Sequence, residues 1–316
     1  MFNKLFISAF LAFFLFFFNP INVIAAQIKV MTFNNVGKIS GLENYAKDNQ
    51  LDIIGFQEQT RDSDGKSSAS DLRSRLQNVG YPMEFKNFTY LGGKTMSIFY
   101  KTSFTLLDFQ TTYYSGDRGM IMVYLDTPAG KIRIFNNHPQ PEGCSTMQNG
   151  FNYINSFNDP NYIVMGDYNF DFVRAKPNSA MLPCYNYVRN NLNYSCMNND
   201  TTLCRASNKP GSTIGLCESK ENTIYDFIMT SKKSDLYLSS YYTENNICTS
   251  DHYPVVATFK IKKEAFDFNN DKSANIFDIF ILIKAIIDGN NLSLDLNLDK
   301  VVDMKDFFDV AKFIFR

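Results

Sequence analysis

Asn161-Tyr162-Ile163-Val164-Met165-Gly166-Asp167-Tyr168-Asn169-Phe170-Asp171 is the stretch whose reading decides the fold. Tyr162 to Met165 read as a short buried strand running into a glycine turn. An extended backbone alternates its side chains with period 2, so it would present Asp167 and Asn169 on one side of the strand's C-terminal end. A carboxylate and an amide held there can manage a water and a phosphoryl oxygen. The same residues also suit an ordinary surface turn, and the rest of the chain has to separate the two.

Working outward, the pattern from Gln27 is α/β. Strands are expected at Ile28 to Phe33, Leu51 to Phe56, Thr89-Tyr90, Met96 to Tyr100, Thr105 to Tyr113, Gly119 to Asp126, Lys131 to Asn136, Thr223 to Thr230 and Val255 to Ile261. Helices are expected at Gly41 to Gln50, Ser68 to Gln77 and Gln148 to Phe157. Few helices among many strands argue against a doubly wound parallel sheet. They fit two mixed sheets packed together with outer helices, a four-layered α/β/β/α sandwich.

The chain's 316 residues suffice for one large and one small domain. Its formal charge of -1 gives no global pull toward nucleic acid or an anionic membrane. Residues 1–26 read as an export signal: Lys4, an apolar run from Leu5 to Phe18, the breaker Asn19-Pro20, and a cleavage site at Ile24-Ala25-Ala26. That run is shorter than the ~20 residues a membrane anchor needs, so a secreted, extracellular protein is expected. All six cysteines, Cys144, Cys184, Cys196, Cys204, Cys217 and Cys248, then suggest up to three disulfides clamping a long polar loop from Pro183 to Asn222.

A second, small all-α domain is expected over 263–316. Asp267, Asn269, Asp271, Ser273 (through its carbonyl), Asn275 and Asp278 set out oxygen donors on a twelve-residue loop. Asp295, Asn297, Asp299, Val301 (again a carbonyl), Asp303 and Asp306 repeat the pattern 28 residues later. Calcium takes six to eight oxygens at this spacing, so paired Ca²⁺ loops are expected, each feeding an amphipathic helix. Lys272 and Lys300 replace the usual glycine of the sharp turn, which should cost affinity. The pair, over roughly Phe266 to Phe315, resembles a dockerin, the module that docks onto cohesin domains of extracellular multienzyme scaffolds. The resemblance implies a cohesin-bearing partner and attachment to a cell-surface complex.

The chain has only two histidines, His138 and His252, and both stand in polar turns beside strands. With them, Met31-Thr32-Phe33-Asn34, Ile54-Gly55-Phe56-Gln57-Glu58, Gly166-Asp167-Tyr168-Asn169, Tyr225-Asp226-Phe227-Ile228 and Ser250-Asp251-His252-Tyr253-Pro254-Val255 fall in one order over residues 27–262. This series resembles the endonuclease/exonuclease/phosphatase superfamily. The resemblance implies that Glu58 and Asn34 bind Mg²⁺ (or Mn²⁺), with Asp251 contributing to the metal environment. It implies an imidazole at His252 oriented by Asp226, and an Asp167 that aligns or deprotonates the attacking water. Asn169 and His138 would contact phosphate oxygens, and Arg118, which starts a strand beside that of His138, is a further candidate phosphate ligand. Residue types alone do not decide whether Asp167 or His252 takes the proton.

The expected activity is metal-assisted hydrolysis of a phosphoester by a monomeric catalytic domain. The substrate stays open between nucleic acid and phospholipid. Lys and Arg are scattered, with no cluster beyond Lys232-Lys233 and Lys260 to Lys263, where a nuclease should show a basic groove. A sphingomyelinase-like phospholipase C should expose aromatics; Tyr113-Tyr114 and Tyr241-Tyr242 are the candidates. A phosphomonoesterase such as an inositol phosphatase, or a non-catalytic binding protein, are further alternatives. A nuclease-type phosphodiesterase is preferred.

Overall fold

Alternating apolar and polar positions draw the chain into strands that cover one face with helices and pack the other against a second sheet. The computed structural model describes residues 26–36, 39–59, 68–90, 93–115, 118–140, 144–173, 176–195, 224–244, 246–247, 250–262, 266–269, 271, 273–288, 294–296 and 301–315. Of the expected export signal only Ala26 is among them, and Cys196, Cys204, Cys217 and Cys248 lie outside them. The chain divides into two compact units, Ala26–Lys262 and one that includes Lys263–Arg316.

The first unit runs β1 (Gln27–Asn34), α1 (Leu42–Asp48), β2 (Ile53–Gln59), α2 (Ser68–Asn78), β3 (Met83–Thr89), β4 (Thr95–Lys101), β5 (Thr105–Ser115), β6 (Arg118–Thr127), β7 (Gly130–His138), α3 (Ser145–Ser156), β8 (Tyr162–Asp167), α4 (Leu182–Asn191), β9 (Leu192–Tyr194), β10 (Asp226–Ser231), β11 (Leu236–Thr243) and β12 (Val255–Ile261). They form two mixed six-stranded sheets, ordered β11-β12-β1-β2-β4-β3 and β5-β6-β7-β8-β10-β9. Each sheet has one central parallel pair, β1 with β2 and β7 with β8, and antiparallel neighbours elsewhere. The expected pair of mixed sheets with flanking helices is observed.

Period 2 sorts the faces. Met31, Phe33, Ile54 and Phe56 point outward and pack with Leu42, Ala46, Leu72 and Leu76 of α1 and α2. Thr32, Gly55 and Gln57 point inward. Gln57 Nε2 donates to Thr32 Oγ1 (3.0 Å) and, across the sheets, to Asn136 Oδ1 (2.6 Å). Asn136 Nδ2 in turn donates to the carbonyls of Phe56 (2.8 Å) and Ser97 (3.0 Å). These buried bonds tie β7 to β2 and β4, directly beneath Glu58.

Three expectations change. Gly166 is not in a turn but inside β8, at φ 148°, and a Cβ there would sit 1.8 Å from the Asn137 carbonyl oxygen. Glycine is therefore needed for the close approach of β7 and β8. The expected polar loop from Pro183 to Asn222 instead begins with α4 and β9, the rest of it lying outside the described residues. Pro183 stands in the helix's first turn, where a missing N–H costs nothing, and Cys184 and Val188 bury one face at i, i+4. Cys184 is bonded to Cys144 at the start of α3. Finally, the strand expected at Thr89-Tyr90 begins earlier as β3, and β11 was unanticipated because Ser239-Ser240 interrupt its apolar alternation at a bulge.

The second unit contains α5 (Ile276–Asp288) and α6 (Met304–Ile314), with Leu282 and Val310 buried. Asp278 accepts the backbone N–H groups of Phe268 (2.7 Å) and Asn275 (2.7 Å), and Asp306 those of Leu296 (2.7 Å) and Asp303 (2.8 Å). Each carboxylate thus folds its preceding loop onto the helix it begins. Asn297 and Asp299 lie outside the described residues. Among the described residues no helix is long and apolar enough to cross a membrane.

Candidate active site

Strand direction gathers the site. β1, β2, β7 and β8 end at Asn34, at the Glu58–Gln59 pair, at His138 and at Asp167, all at one edge of the sandwich. Their antiparallel neighbours start at the same edge with Lys94 before β4, Arg118 on β6, Asp226 on β10 and His252 before β12. The registers place Asp226 opposite Asp167, Gly119 opposite His138, and Val255 opposite Thr32.

Glu58 reaches this edge by a backbone device. Period 2 would send it outward beside inward Gln57, but the β2–β4 register shifts between Phe56 and Gln59 and Glu58 takes φ 55°. The bulge re-aims the side chain into the gap between the sheets. Asn169 is likewise left-handed, at φ 52°. It therefore does not continue an extended strand beside Asp167 as expected. The chain instead folds back as an Asx turn, the Asn169 N–H donating to Asp167 Oδ1 (2.8 Å), while the Asn169 side-chain amide donates to the Pro139 carbonyl (3.3 Å).

Asp167, buried, is the hub. Asn34 Nδ2 donates to its Oδ2 at 3.1 Å, and the Nε2 atoms of His138 and His252 lie 3.5 Å and 3.7 Å from the same oxygen. His252 Nδ1 is 2.8 Å from Asp226 Oδ2. Ser250 steadies this corner, its hydroxyl donating to the Asn34 carbonyl (2.6 Å) and accepting the His252 N–H (3.2 Å).

A cationic wall faces Glu58. Lys94 Nζ donates to Glu58 Oε2, while Arg118 Nη1 and His138 Nε2 lie 4.0 Å and 3.6 Å from Oε1. Arg118 Nη1 is also 2.8 Å from His138 Nδ1, and the Tyr90 hydroxyl is 3.4 Å from that nitrogen. Lys94 and Tyr90 were not anticipated. They stand just past the end of β3 and just before β4, with the Tyr90 N–H bonded to the Lys94 carbonyl (3.0 Å). The Gly92-Gly93-Lys94 turn signal was available in the sequence, but nothing there said which strand ends it would join.

These contacts set the protonation states. Burial pushes Asp167 up, yet the charge of His252, the hydrogen bond and charge of His138, and the Asn169 amide outweigh it, holding the carboxyl well below the usual range. Burial pushes His252 down, but the charges of Asp226 and Asp167 and the Asp226 hydrogen bond raise it to about 10. For Glu58, burial is overcome by the Lys94 hydrogen bond and by the charges of His138, Lys94 and Arg118, which lower it.

Asp167, Asp226 and His252 offer ligand atoms within 4.8 Å of one another, a spacing that could hold a divalent metal. This is not the expected set of Glu58, Asn34 and Asp251. Two of the three are already paired with each other at 2.8 Å. Asn34 Oδ1, by contrast, is buried with no hydrogen-bond partner, an orphan oxygen of the kind a hard cation satisfies. Asn34 Oδ1 is thus one further oxygen at this edge that a divalent cation would satisfy. Asp251 Oδ1 lies 3.1 Å from the Ser250 hydroxyl oxygen. The calcium-loop residues belong to the other unit.

Neither a family model nor a curated protein matches the sequence. Solved structures do match the fold. An endonuclease/exonuclease/phosphatase family protein from Bacteroides thetaiotaomicron is 15% identical, with TM-score 0.58 over 75% of this chain and 98% of that one. ANGEL2, a 2',3'-cyclic phosphatase bound to adenosine-2',3'-vanadate, is 14% identical, with TM-score 0.58 over 76% and 97%. A truncated Caenorhabditis elegans TDP2 is 14% identical, with TM-score 0.53 over 74% and 98%. At these identities the likeness establishes that this chain shares their fold.

Proposed function

We propose that the Ala26–Lys262 unit is a divalent-metal-dependent phosphodiesterase of nuclease type. One observation carries the reading: Asp167 meets His138, His252 and Asn34 at one buried point, on a fold whose solved examples are phosphoester hydrolases. Glu58 and Asn34 Oδ1 would hold Mg²⁺ or Mn²⁺, with Asp251 beside them. The bound ion would polarise a phosphoryl oxygen and ease departure of the leaving oxygen.

The chain's own residues divide the remaining work. Asp167, ionised, aligns a water and accepts its proton as the water oxygen bonds to phosphorus and the ester bond breaks in line. His252, bonded through Nδ1 to Asp226, donates from Nε2 to a phosphoryl oxygen. His138, Arg118 and Asn169 contact the phosphate. No covalent enzyme intermediate is formed. Purified protein with Mg²⁺ or with EDTA, assayed against plasmid DNA, RNA, sphingomyelin and phosphoinositides, tests this. Hydrolysis of nucleic acid lost in EDTA is expected; hydrolysis of lipid alone or of phosphomonoesters alone would assign the site to the phospholipase or phosphatase alternatives.

For the C-terminal unit we propose a calcium-binding, dockerin-like module on an exported protein. The reading is supported by matched contacts 28 residues apart, Asp278 and Asp306 each gathering the amides of its own loop. It is further supported by exposed apolar residues at matched positions, Ile276 with Met304 and Phe280 with Phe308. Cohesin capture with calcium and none in EGTA is the expected result. Equal capture, or none, under both conditions would overturn it.

A further inference from the structure

The wall beside His138 continues outward as a lane of rings. Phe88 and Tyr90 of the β3 edge and Tyr113 of the β5 edge line it: His138 to Tyr90 is 6.4 Å between centroids, Tyr90 to Phe88 is 6.4 Å, and Phe88 to Tyr113 is 4.6 Å. The register explains the row. Tyr113 is opposite Gly119, and Gly119 is opposite His138, so Tyr113 and His138 share a sheet face two strand spacings apart, roughly 10 Å. Gly119 leaves the middle position open for Phe88, whose ring would lie 2.8 Å from any Cβ placed there.

The inner rings are buried, but Tyr113 is 58% exposed, and its hydroxyl is tethered to the Thr89 carbonyl (3.3 Å). An exposed aromatic held in place next to a reactive centre is an unused stacking surface. Two ammonium groups stand on β3 and just before β4. Lys94 stands at the site's rim with its side chain 43% exposed, and further along the edge Lys86 Nζ lies 5.5 Å from the ring centre of Phe109.

We propose that Tyr113 stacks the base that neighbours the scissile phosphate of a single-stranded nucleic acid, with the strand following the β3–β5 edge past Lys86 and Phe109. This rests on the phosphodiesterase reading and names the substrate form it takes. Rings interleaved with cations are what backbone-tracking, base-stacking recognition of single strands uses, because every base has a π-face. A duplex keeps its bases stacked on each other and cannot offer one to Tyr113 without unpairing. Leu107, Phe109 and Tyr113 are exposed along β5, but Lys86 covers the Phe109 ring, where a membrane-binding edge would leave the apolar row uninterrupted.

The test compares wild type, Tyr113→Ala and Tyr113→Phe on a short single-stranded oligonucleotide and on the same strand with abasic sites. Binding is measured by fluorescence anisotropy in EDTA, and KM and kcat in Mg²⁺. Tyr113→Ala should weaken binding and raise KM roughly tenfold to a hundredfold on the base-bearing strand, with kcat little changed. It should lose nothing further on the abasic strand, where wild type is already weakened, and Tyr113→Phe, which keeps the ring but not the tether to Thr89, should retain most of the wild-type binding. Equal losses on both strands, or no loss, would overturn the subsite while leaving the phosphodiesterase reading intact. A wild type that cleaves neither strand and binds phosphatidylcholine vesicles through Tyr113 would remove both.

Discussion

Glu58 shows how a single residue can be right in kind and hidden in place. Its carboxylate is visible in the sequence, but its aim depends on a left-handed backbone at a bulge, and its partner Lys94 comes from a turn 36 residues away. An ammonium on Oε2 competes with any cation that uses the same oxygen. Lys94→Gln should therefore tighten Mn²⁺ binding, measured calorimetrically, by about two- to fivefold, the modest effect of a partly exposed pair; unchanged or weaker binding would show that Lys94 is no competitor. His252 allows a second prediction. Its folded value of about 10 is above the ordinary ~6.5, so the imidazolium's contribution is complete below pH ~6.5 and lost as pH rises through 10. In EDTA, the melting temperature of wild type should fall across that interval more steeply than that of His252→Asn. Parallel slopes would contradict the charged pair. Gly166→Ala places a Cβ against the Asn137 carbonyl at a φ that alanine resists, and should lower stability by about 3 kcal/mol, or some 6–12 °C in melting temperature.

At the scale of elements, the strand-helix-strand units around β1-α1-β2 and β7-α3-β8 were legible because their apolar runs are continuous, as buried parallel strands require. The grouping of Asn34, Glu58, His138 and Asp167 was implied by the family resemblance, and parallel strands bring Asn34, His138 and Asp167 to one edge, whereas Glu58 needs its bulge. What could not be read was local and conformational: Gly166 inside a strand, Asn169 folded back, β11 broken by a bulge, and α4 written mostly in polar residues. The Cys144–Cys184 bond joins α4 to the start of α3, close to where the chain leaves His138. It closes a loop of sequence separation 40, so replacing both cysteines with serine should cost about 3–4 kcal/mol in the chain-entropy account. Chemical denaturation of the oxidised and doubly substituted proteins measures this directly. An unchanged midpoint would mean that packing of Val188 and its neighbours already fixes α4.

Taken whole, the molecule joins a near-neutral two-sheet sandwich to a small unit bearing most of the net acidity: residues 27–262 carry 23 Lys+Arg against 22 Asp+Glu, and 263–316 carry 7 against 10. A balanced net charge makes long-range steering of a polyanion weak, so substrate selection falls to the few cations and rings at the site's rim. Under the proposed reading Lys94, Arg118 and Tyr113 would carry that task, and neither Lys94 nor Arg118 belongs to a cluster of basic residues in the sequence. The claim on which the rest depends is that Asp167 and His252 drive metal-dependent phosphodiester cleavage. Initial rates on single-stranded DNA, with Mg²⁺ and with EDTA, for wild type, Asp167→Asn and His252→Asn measure it most directly. The account predicts turnover only in wild type with Mg²⁺, and losses of about a hundredfold or more in each variant with the fold intact. Wild-type rates that persist in EDTA, or variants that keep full activity, would contradict it.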